Sequence, residues 1–297
     1  MTTTLVVLLA GVLGAAILLA VAALRGGGRS LADPADPGPA EHWLVERAAE
    51  HPSLQRVLRY ADHRVSGGVA VAAGFVVVFV AALVVGWIFE TIDTDRGFAR
   101  WDGAAAEWGP DHADDSASTV LSWFTHLGGT PVVAVLMVIV AVVDYRRFRQ
   151  PAVFAFMAIV GIGTVLINNG LKLLVMRDRP QVGQLVDAAG SSFPSGHSAT
   201  SAACWLAMAI VAGRWTSRRA QPWLTAGAVA IACVVAASRV LLGVHWLTDV
   251  VAGLIVGWTW CFLVAIAFGG RLQRFGAPMR EIVEEAPSAP LRGVGHG

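Results

Sequence analysis

Seven long apolar blocks constrain the fold of this 297-residue chain more than any other feature of its sequence. A helix that crosses a bilayer needs roughly 20 mainly apolar residues, and most of the blocks approach that length. The block at 120–143 is the weakest, because His126 and residues 128–130 interrupt its first half. The predicted spans are 4–24, 68–88, 120–143, 151–175, 198–213, 222–241 and 248–268. The sequence therefore predicts an all-α fold, a polytopic membrane helical bundle.

The composition excludes several classes of protein. Charged residues make up 14% of the chain, which argues against a soluble enzyme and a disordered protein. The net charge of +1 supplies no basic field for a phosphate backbone, so no nucleic-acid partner is expected. Cys204, Cys233 and Cys261 lie in apolar blocks without metal-ligand spacing. We therefore expect inert thiols, no disulfide and no zinc site.

The arginines set the expected orientation, because the cytoplasmic loops of membrane proteins carry an excess of positive charge. With seven spans, all the arginine-rich segments fall on one side of the membrane. They contain Arg25, Arg29, Arg47, Arg56, Arg59, Arg64, Arg146, Arg147, Arg149, Arg214, Arg218, Arg219, Arg271, Arg274 and Arg280. The opposite loop, 89–117, has eight acidic residues and is expected to form a solvated cap. We predict a multi-pass protein of the inner (cytoplasmic) membrane with its N-terminus outside and its C-terminus inside.

The spans divide the chain into four regions. No basic residue precedes the first apolar run, so we expect an uncleaved anchor rather than a signal peptide. The segment after it has a flexible half rich in Gly, Pro and Asp and a half with helical spacing of apolar residues. The expected regions are an N-terminal transmembrane anchor at 1–24, a cytoplasmic linker and helical segment at 25–67, the main transmembrane domain at 68–268 and a disordered cytoplasmic tail at 269–297.

Three polar clusters lie at the predicted outer ends of the spans. The cluster 172–180 closes the fourth span, 191–198 opens the fifth, and 238–249 joins the sixth to the seventh. Because the connections are short, all three clusters can meet at one depth in the bundle. Ionisable residues at the rim of a membrane bundle are costly, so we expect these to serve a function.

The cations of these clusters predict a phosphate site. The arginine fork matches phosphate oxygens in pairs, and lysine adds a compact charge, so Lys172, Arg179 and Arg239 together favour a phosphate group. Ser195 and Gly196 precede a helix, whose free N–H groups and dipole also favour an anion. The glycine lets the backbone approach the ligand closely.

Two histidines predict phosphoryl transfer at this site. His245 and Asp249 are four residues apart and share a helix face, so the carboxylate can orient the imidazole as a nucleophile. His197 lies beside the cations and can protonate a leaving oxygen as general acid. No carboxylate cluster is available to hold magnesium, so we expect neither a metal nor another cofactor. The remaining polar residues have plainer interpretations. We expect Arg177 to pair with Asp178, with a direct contact of either residue to substrate as the alternative, and Asn168 and Asn169 to make helix–helix hydrogen bonds.

The three motifs resemble those of a known family. They are Lys172-x6-Arg179-Pro180, Pro194-Ser195-Gly196-His197 and Ser238-Arg239-x5-His245-x3-Asp249. Together they are similar to the type 2 phosphatidic acid phosphatase (PAP2) family, which is related to vanadium haloperoxidases and bacterial acid phosphatases. The resemblance covers about residues 68–268, and span 4–24 is an addition to it.

The resemblance implies a six-helix core with its site at the outer membrane interface. It implies hydrolysis of lipid phosphate or pyrophosphate monoesters without a metal, on undecaprenyl pyrophosphate, phosphatidylglycerol phosphate or phosphatidic acid. It assigns His245 as nucleophile, Asp249 as its partner, His197 as acid, and Lys172, Arg179, Ser195, Gly196 and Arg239 as phosphate ligands.

Other functions remain open at this stage. A lipid phosphotransferase would use the same site but pass the phosphoryl group to another acceptor. A transporter of anionic lipids is less favoured, because transporters place charges near the middle of the bilayer. A vanadate-dependent oxidase is more remote. The partners that we expect are the bilayer and a lipid phosphate, and the sequence leaves the oligomeric state open.

Overall fold

The structure, a computed structural model, describes residues 63–94, 97–217 and 219–268. These residues form helices and connecting turns, without a strand. The helices are α1 (His63–Thr94), a 3-10 helix (Gly97–Trp101), α2 (Asp102–His112), α3 (Asp115–His126), α4 (Thr130–Phe148), α5 (Ala152–Val175), α6 (Gly196–Gly213), α7 (Gln221–Leu241) and α8 (Leu247–Ala267). The all-α prediction is confirmed. The predicted anchor at 4–24, most of the segment 25–67 and the tail at 269–297 lie outside the described residues.

Several helices have the length and composition of membrane spans. Among the described residues, α5, α7 and α8 are each long and apolar enough to cross a bilayer. Two bent pairs raise the number to five if each is one span: residues 76–92 with 97–112, and α3 with α4. The protein is therefore a multi-pass membrane protein, as the apolar blocks predict.

The span predicted at 120–143 is not one continuous helix. The axes of α3 and α4 differ by 46° across the turn 127–129. A side chain at Gly128 would place its Cβ 2.4 Å from Val235 and 2.9 Å from the carbonyl oxygen of His197. Glycine therefore allows this turn to pack directly against α7 and the start of α6, which the straight span of the prediction does not provide.

The span predicted at 198–213 forms α6, but α6 is not among the helices apolar enough to pass as a span on composition. Its position explains the difference. Helix α6 packs against α4, α5, α7 and α8, and Ser198, Thr200 and Ser201 in its first two turns are buried. Because neighbouring helices shield α6 from lipid, its first turns can be polar.

Helices α6 and α8 approach each other through glycines. A Cβ at Gly253 would lie 2.6 Å from the carbonyl oxygen of Ser195, and one at Gly257 would lie 2.3 Å from that of Ala199. Small residues four apart let two membrane helices approach closely. This contact fixes the start of α6 against the start of α8, the two ends that carry the predicted catalytic residues.

The segment 89–117 is more than the solvated cap predicted for it. Helix α2 packs against α7 and α8, and Asp102 and Ala106 are buried. A Cβ at Gly109 would lie 2.1 Å from the backbone oxygen of Leu241, so the helix sits directly on the end of α7. The prediction missed this contact because Asp102, one of eight acidic residues in this segment, is buried against a basic partner described below.

Candidate active site

The three motif clusters meet around one cavity of about 290 Å³. The cavity lies where α5 and α7 end and α6 begins. Six of the eight predicted site residues line it: Lys172, Arg179, Gly196, His197, Arg239 and His245. The other two, Ser195 and Asp249, are fully buried behind the wall.

His245 lies in the turn between α7 and α8, with Asp249 one turn further along α8. The Nδ1 atom of His245 is 3.4 Å from Oδ2 of Asp249, an oxygen that also accepts the N–H of Trp246 at 3.0 Å. On the other side of the ring, Nη1 of Arg179 lies 3.3 Å from Nε2 of His245. Because a guanidinium only donates, these contacts assign the proton to Nδ1 and leave the lone pair of Nε2 at the cavity.

The environment of His245 keeps its ring neutral. The residue is 2% exposed, and burial lowers the pKa of His245 to about 4. Asp249 raises the pKa, whereas the charges of Arg179 and Arg239 lower it further. A neutral imidazole with an unprotonated Nε2 is the nucleophilic form.

Arg179 is held in place by the backbone around the cavity. Its Nη1 donates to the carbonyl of Val244 at 2.7 Å, its Nη2 to Ala189 at 3.0 Å and its Nε to Gly190 at 3.1 Å. Burial lowers the pKa of Arg179, and the charge of Asp249 opposes that shift. The loop between α5 and α6 thus positions this guanidinium beside the imidazole of His245.

Lys172 and Arg239 approach the cavity from two other helices. Nζ of Lys172 donates to the carbonyl of Ser191. Nη1 of Arg239 donates to Oγ1 of Thr125 at 3.0 Å, and its buried Nε has no partner among the described residues. An unpaired buried donor costs roughly 1–3 kcal/mol. An anion in the cavity would satisfy it.

The start of α6 forms another wall of the cavity. Ser195 is the N-cap of α6: its Oγ accepts from the N–H of Ser198 at 3.5 Å and from that residue's hydroxyl at 3.0 Å. A Cβ at Gly196 would lie 3.2 Å from the amide nitrogen of Asn168, so a larger residue there would press on the Asn168 side chain. The helix start and His197 face the cavity, whereas the Ser195 hydroxyl is used by the cap.

Four residues near the site escaped the functional interpretation of the sequence. The first is Arg177, which does not pair with Asp178. Its Nη1 lies 2.7 Å from Oδ1 of Asp249, and its Nη2 lies 2.8 Å from Oδ2 of Asp102. The other three are Asp102, Thr125 and Asn168. Of these, only Asn168 carried a signal, as a polar residue one turn before Lys172 in an apolar span.

Asn168 lines the cavity together with Asn169, and the buried Oδ1 of Asn168 has no hydrogen-bond partner among the described residues. The helix–helix hydrogen bond expected of Asn168 is therefore not made by this oxygen, and both asparagines border the cavity instead.

An apolar groove of about 500 Å³ continues from the cavity between α4 and α5. Thr130, Val165 and Thr200 line both spaces, so the polar cavity and the groove adjoin. Met137, Ile162 and Leu166 are among the apolar residues along the groove. A ligand that fills both spaces has an anionic head and a hydrocarbon tail.

Comparison with known proteins agrees with this architecture. The PAP2 superfamily matches residues 151–272 of the chain. Phosphatidylglycerophosphatase B of Bacillus subtilis (strain 168) is 32% identical over 161 residues, which cover 52% of this chain and 77% of that protein. The crystal structure of the first transmembrane PAP2 type phosphatidylglycerolphosphate phosphatase from Bacillus subtilis has a TM-score of 0.58 and 27% identity, covering 62% of this chain and 92% of that one.

The helical bundle and its relatives define a membrane-embedded lipid phosphatase. This chain belongs to the PAP2 superfamily. The matched region begins at α5 and includes every motif residue, from Lys172 to Asp249.

Proposed function

We propose that this chain hydrolyses lipid phosphate or pyrophosphate monoesters without a metal ion, through a phosphohistidine on His245. One observation carries the proposal: Nε2 of His245 faces the same small cavity as Lys172, Arg179 and Arg239. A nucleophile surrounded by fixed cations fits phosphoryl transfer, in which positioning and charge stabilisation supply most of the catalysis.

In the first step, Nε2 of His245 attacks the terminal phosphorus, and the bond from that phosphorus to the leaving oxygen breaks. This oxygen belongs to the lipid alcohol in a monoester and is the bridging oxygen in a pyrophosphate. The phosphate brings negative charge beside His197, which favours the imidazolium form that gives a proton to the leaving oxygen. The carboxylate of Asp249 accepts a hydrogen bond from the Nδ1–H group of His245 and stabilises the positive charge on the phosphohistidine ring.

In the second step, water attacks phosphorus and the N–P bond breaks. Neutral His197 accepts the proton of that water, and inorganic phosphate leaves. Throughout both steps the equatorial oxygens are bound by the three cations and the N–H groups at the start of α6.

The donor set supports a reaction without a metal. Within the described ranges, no group of three or more His, Cys, Asp or Glu residues could hold a metal ion. The charges that line the cavity are mainly cations, which repel a metal and attract phosphate.

The apolar groove supports a lipid substrate. We assign it to the hydrocarbon tail, because it adjoins the phosphate cavity and its lining is apolar. The candidate substrates are undecaprenyl pyrophosphate, phosphatidylglycerol phosphate and phosphatidic acid. The activity named for the Bacillus subtilis matches makes phosphatidylglycerol phosphate the first of these to test.

We place the site at the outer face of the cytoplasmic membrane, with the N-terminus outside and the C-terminus inside. The arginines between α4 and α5 and between α6 and α7 support this placement, since both connections lie at the end of the bundle opposite the cavity. In domain terms, we propose a transmembrane phosphatase domain at 68–268.

The proposal is tested by phosphate release in detergent with EDTA present. Wild type and His245→Ala are compared on the three lipids, with and without a lipid alcohol as acceptor. We expect release from at least one lipid by wild type only, unchanged by EDTA. Loss of release that magnesium restores would overturn the metal-free mechanism. Phosphorylation of the lipid alcohol in place of free phosphate release would identify a phosphotransferase.

A further inference from the structure

We propose that Asp102 and Arg177 are positioning residues for the nucleophile, acting through Asp249. The inference rests on the proposed function, because it concerns how His245 is held during phosphoryl transfer. Neither residue lines the phosphate cavity. Asp102 lies outside the three sequence motifs, and Arg177 occupies an unspecified position between Lys172 and Arg179 in the first motif. Their effect on catalysis must therefore pass through the residues that they hold.

Arg177 bridges two carboxylates with one guanidinium. Its Nη1 donates to Oδ1 of Asp249 at 2.7 Å, and its Nη2 donates to Oδ2 of Asp102 at 2.8 Å. Nη1 also donates to Oγ1 of Thr248 at 2.7 Å. The guanidinium carbon lies 5.1 Å from the centre of the Trp246 ring, so the side chain is fixed by stacking as well as by hydrogen bonds.

Because of this bridge, the two oxygens of the Asp249 carboxylate have different partners. Oδ1 is bound by Arg177, and Oδ2 accepts from Trp246 and faces Nδ1 of His245. With Oδ1 anchored, the carboxylate cannot rotate away from the imidazole. Without Arg177, that oxygen would be buried with one donor fewer, and the angle of the His245 ring would be less restricted.

Asp102 holds the bridge from the segment between α1 and α3. Its Oδ1 accepts the N–H of Thr248 at 2.9 Å, and its Oδ2 accepts the hydroxyl of the same residue at 2.6 Å. The side chain of Asp102 thus satisfies a free N–H group at the start of α8 while it binds Arg177. The residue is 4% exposed, so this ion pair is sheltered from water.

The charges of the three groups give Asp102 a second effect. One guanidinium between two carboxylates leaves a net charge of −1, so Asp249 keeps the negative charge that stabilises a positive His245 ring. If Asp102 becomes neutral, Arg177 cancels that charge instead. We therefore expect loss of Asp102 to weaken the chemical step rather than substrate binding.

The test measures kcat and KM for Asp102→Asn and Arg177→Gln, alone and combined with Asp249→Asn. A small misplacement of a reacting group can cost about 100-fold, so we expect kcat to fall about 10-fold in Asp102→Asn and about 100-fold in Arg177→Gln. KM should stay within about 2-fold, because neither side chain lines the phosphate cavity. In the Asp249→Asn background, each further substitution should cost less than about 2-fold, because the coupled partner is already altered.

Matched controls separate this effect from a general loss of structure. Asp111→Asn removes an exposed carboxylate from the same helix as Asp102, and Asp178→Asn removes an exposed one beside Arg177. Both should keep wild-type kcat. Competitive inhibition by inorganic phosphate, which reports on the cavity, should be unchanged in every variant. Should Arg177→Gln fail to fold, Arg177→Lys retains the charge but not the fork, and we expect about a 10-fold fall in its kcat.

The outcomes distinguish this inference from the proposed function. Turnover by His245→Ala would refute the proposed function and the positioning role together. Inactive His245→Ala with wild-type kcat in Asp102→Asn and Arg177→Gln would refute only the positioning role. It would also be refuted if the Arg177→Gln loss persisted in full in the Asp249→Asn background, or appeared in KM alone.

Discussion

Nη1 of Arg179 lies 3.3 Å from Nε2 of His245, so a proposed phosphate ligand contacts the proposed nucleophilic atom. The guanidinium is held by backbone carbonyls, which leaves little freedom for it to move when phosphate binds. Phosphate oxygens would therefore meet the cation at the position where phosphorus comes within reach of Nε2. The same contact would therefore hold the bound phosphate close to the atom that attacks it.

The protonation state of His245 gives a direct prediction. Burial lowers its pKa to about 4, so the neutral ring prevails above that pH and is lost only as the pH falls through it. Nitrogen-15 NMR of histidine-labelled protein in detergent, assigned with His245→Ala, should show a neutral ring at about pH 5.5. Asp249→Asn removes the carboxylate that raises this pKa, so its midpoint should fall further. A wild-type midpoint near the ordinary value of 6.5 would contradict the account.

The unpaired Nε of Arg239 predicts a large role in phosphate binding. Arg239→Gln should lower kcat/KM by about 100-fold or more, since one preorganised donor to a transition-state oxygen has effects of that order. Thr125→Val removes the hydroxyl that accepts from Nη1 of Arg239 and should give a smaller loss. Steady-state kinetics and inhibition by inorganic phosphate measure both. Arg219→Gln, at an exposed position on the opposite side of the bundle, is the control. Equal activity in Arg239→Gln and this control would argue against the phosphate role.

The apolar groove predicts selectivity for the tail of the substrate. A Cβ at Gly161 would lie 3.6 Å from Sδ of Met137, so Gly161→Leu adds a side chain to the groove without a backbone clash. We expect kcat/KM for a long-chain lipid phosphate to fall about 10-fold, while a short water-soluble phosphate ester is hydrolysed as by wild type. Val229→Leu on α7, outside the groove, should change neither substrate. Equal losses on both substrates would mean that the groove does not bind the tail.

The proposed orientation predicts which side of the membrane each connection faces. Gln181 in the connection between α5 and α6 and Ser217 in that between α6 and α7 are both exposed. Labelling of intact cells with a membrane-impermeant thiol reagent should modify Gln181→Cys, and Ser217→Cys only after permeabilisation. Cys233 is exposed in α7, so both substitutions are made in a Cys233→Ala background. The opposite pattern would reverse the topology.

Hydropathy predicted the helices because a segment in lipid must satisfy its backbone hydrogen bonds within itself, as a helix does. The signal therefore lies in a short stretch of sequence. The same local signal is weak for α6, whose composition reflects its position among other helices rather than contact with lipid. It also missed the bend at Gly128, because the reason for the bend is the packing of that glycine against Val235 and His197.

The motifs predicted the residues that line the cavity but not the residues that position them. Asp102 and its partner Arg177 are 75 positions apart, and Asp102 carries the same letter as several exposed acids around it. Only the folded arrangement, in which α2 lies against the start of α8, makes that carboxylate different from its neighbours. The pairing of Arg177 with Asp178, adjacent in sequence, was expected for want of that information.

The account depends most on the covalent intermediate at His245. The most direct measurement is rapid quenching into alkali of enzyme mixed with phosphatidylglycerol phosphate labelled in its terminal phosphate, followed by mass spectrometry of the peptide that contains His245. Wild type should carry an acid-labile, alkali-stable phosphoryl group on that histidine. His245→Ala should carry none, although it should still fold and bind inorganic phosphate in the cavity. Phosphate release by wild type without any labelled peptide, or a label on another residue, would contradict the mechanism.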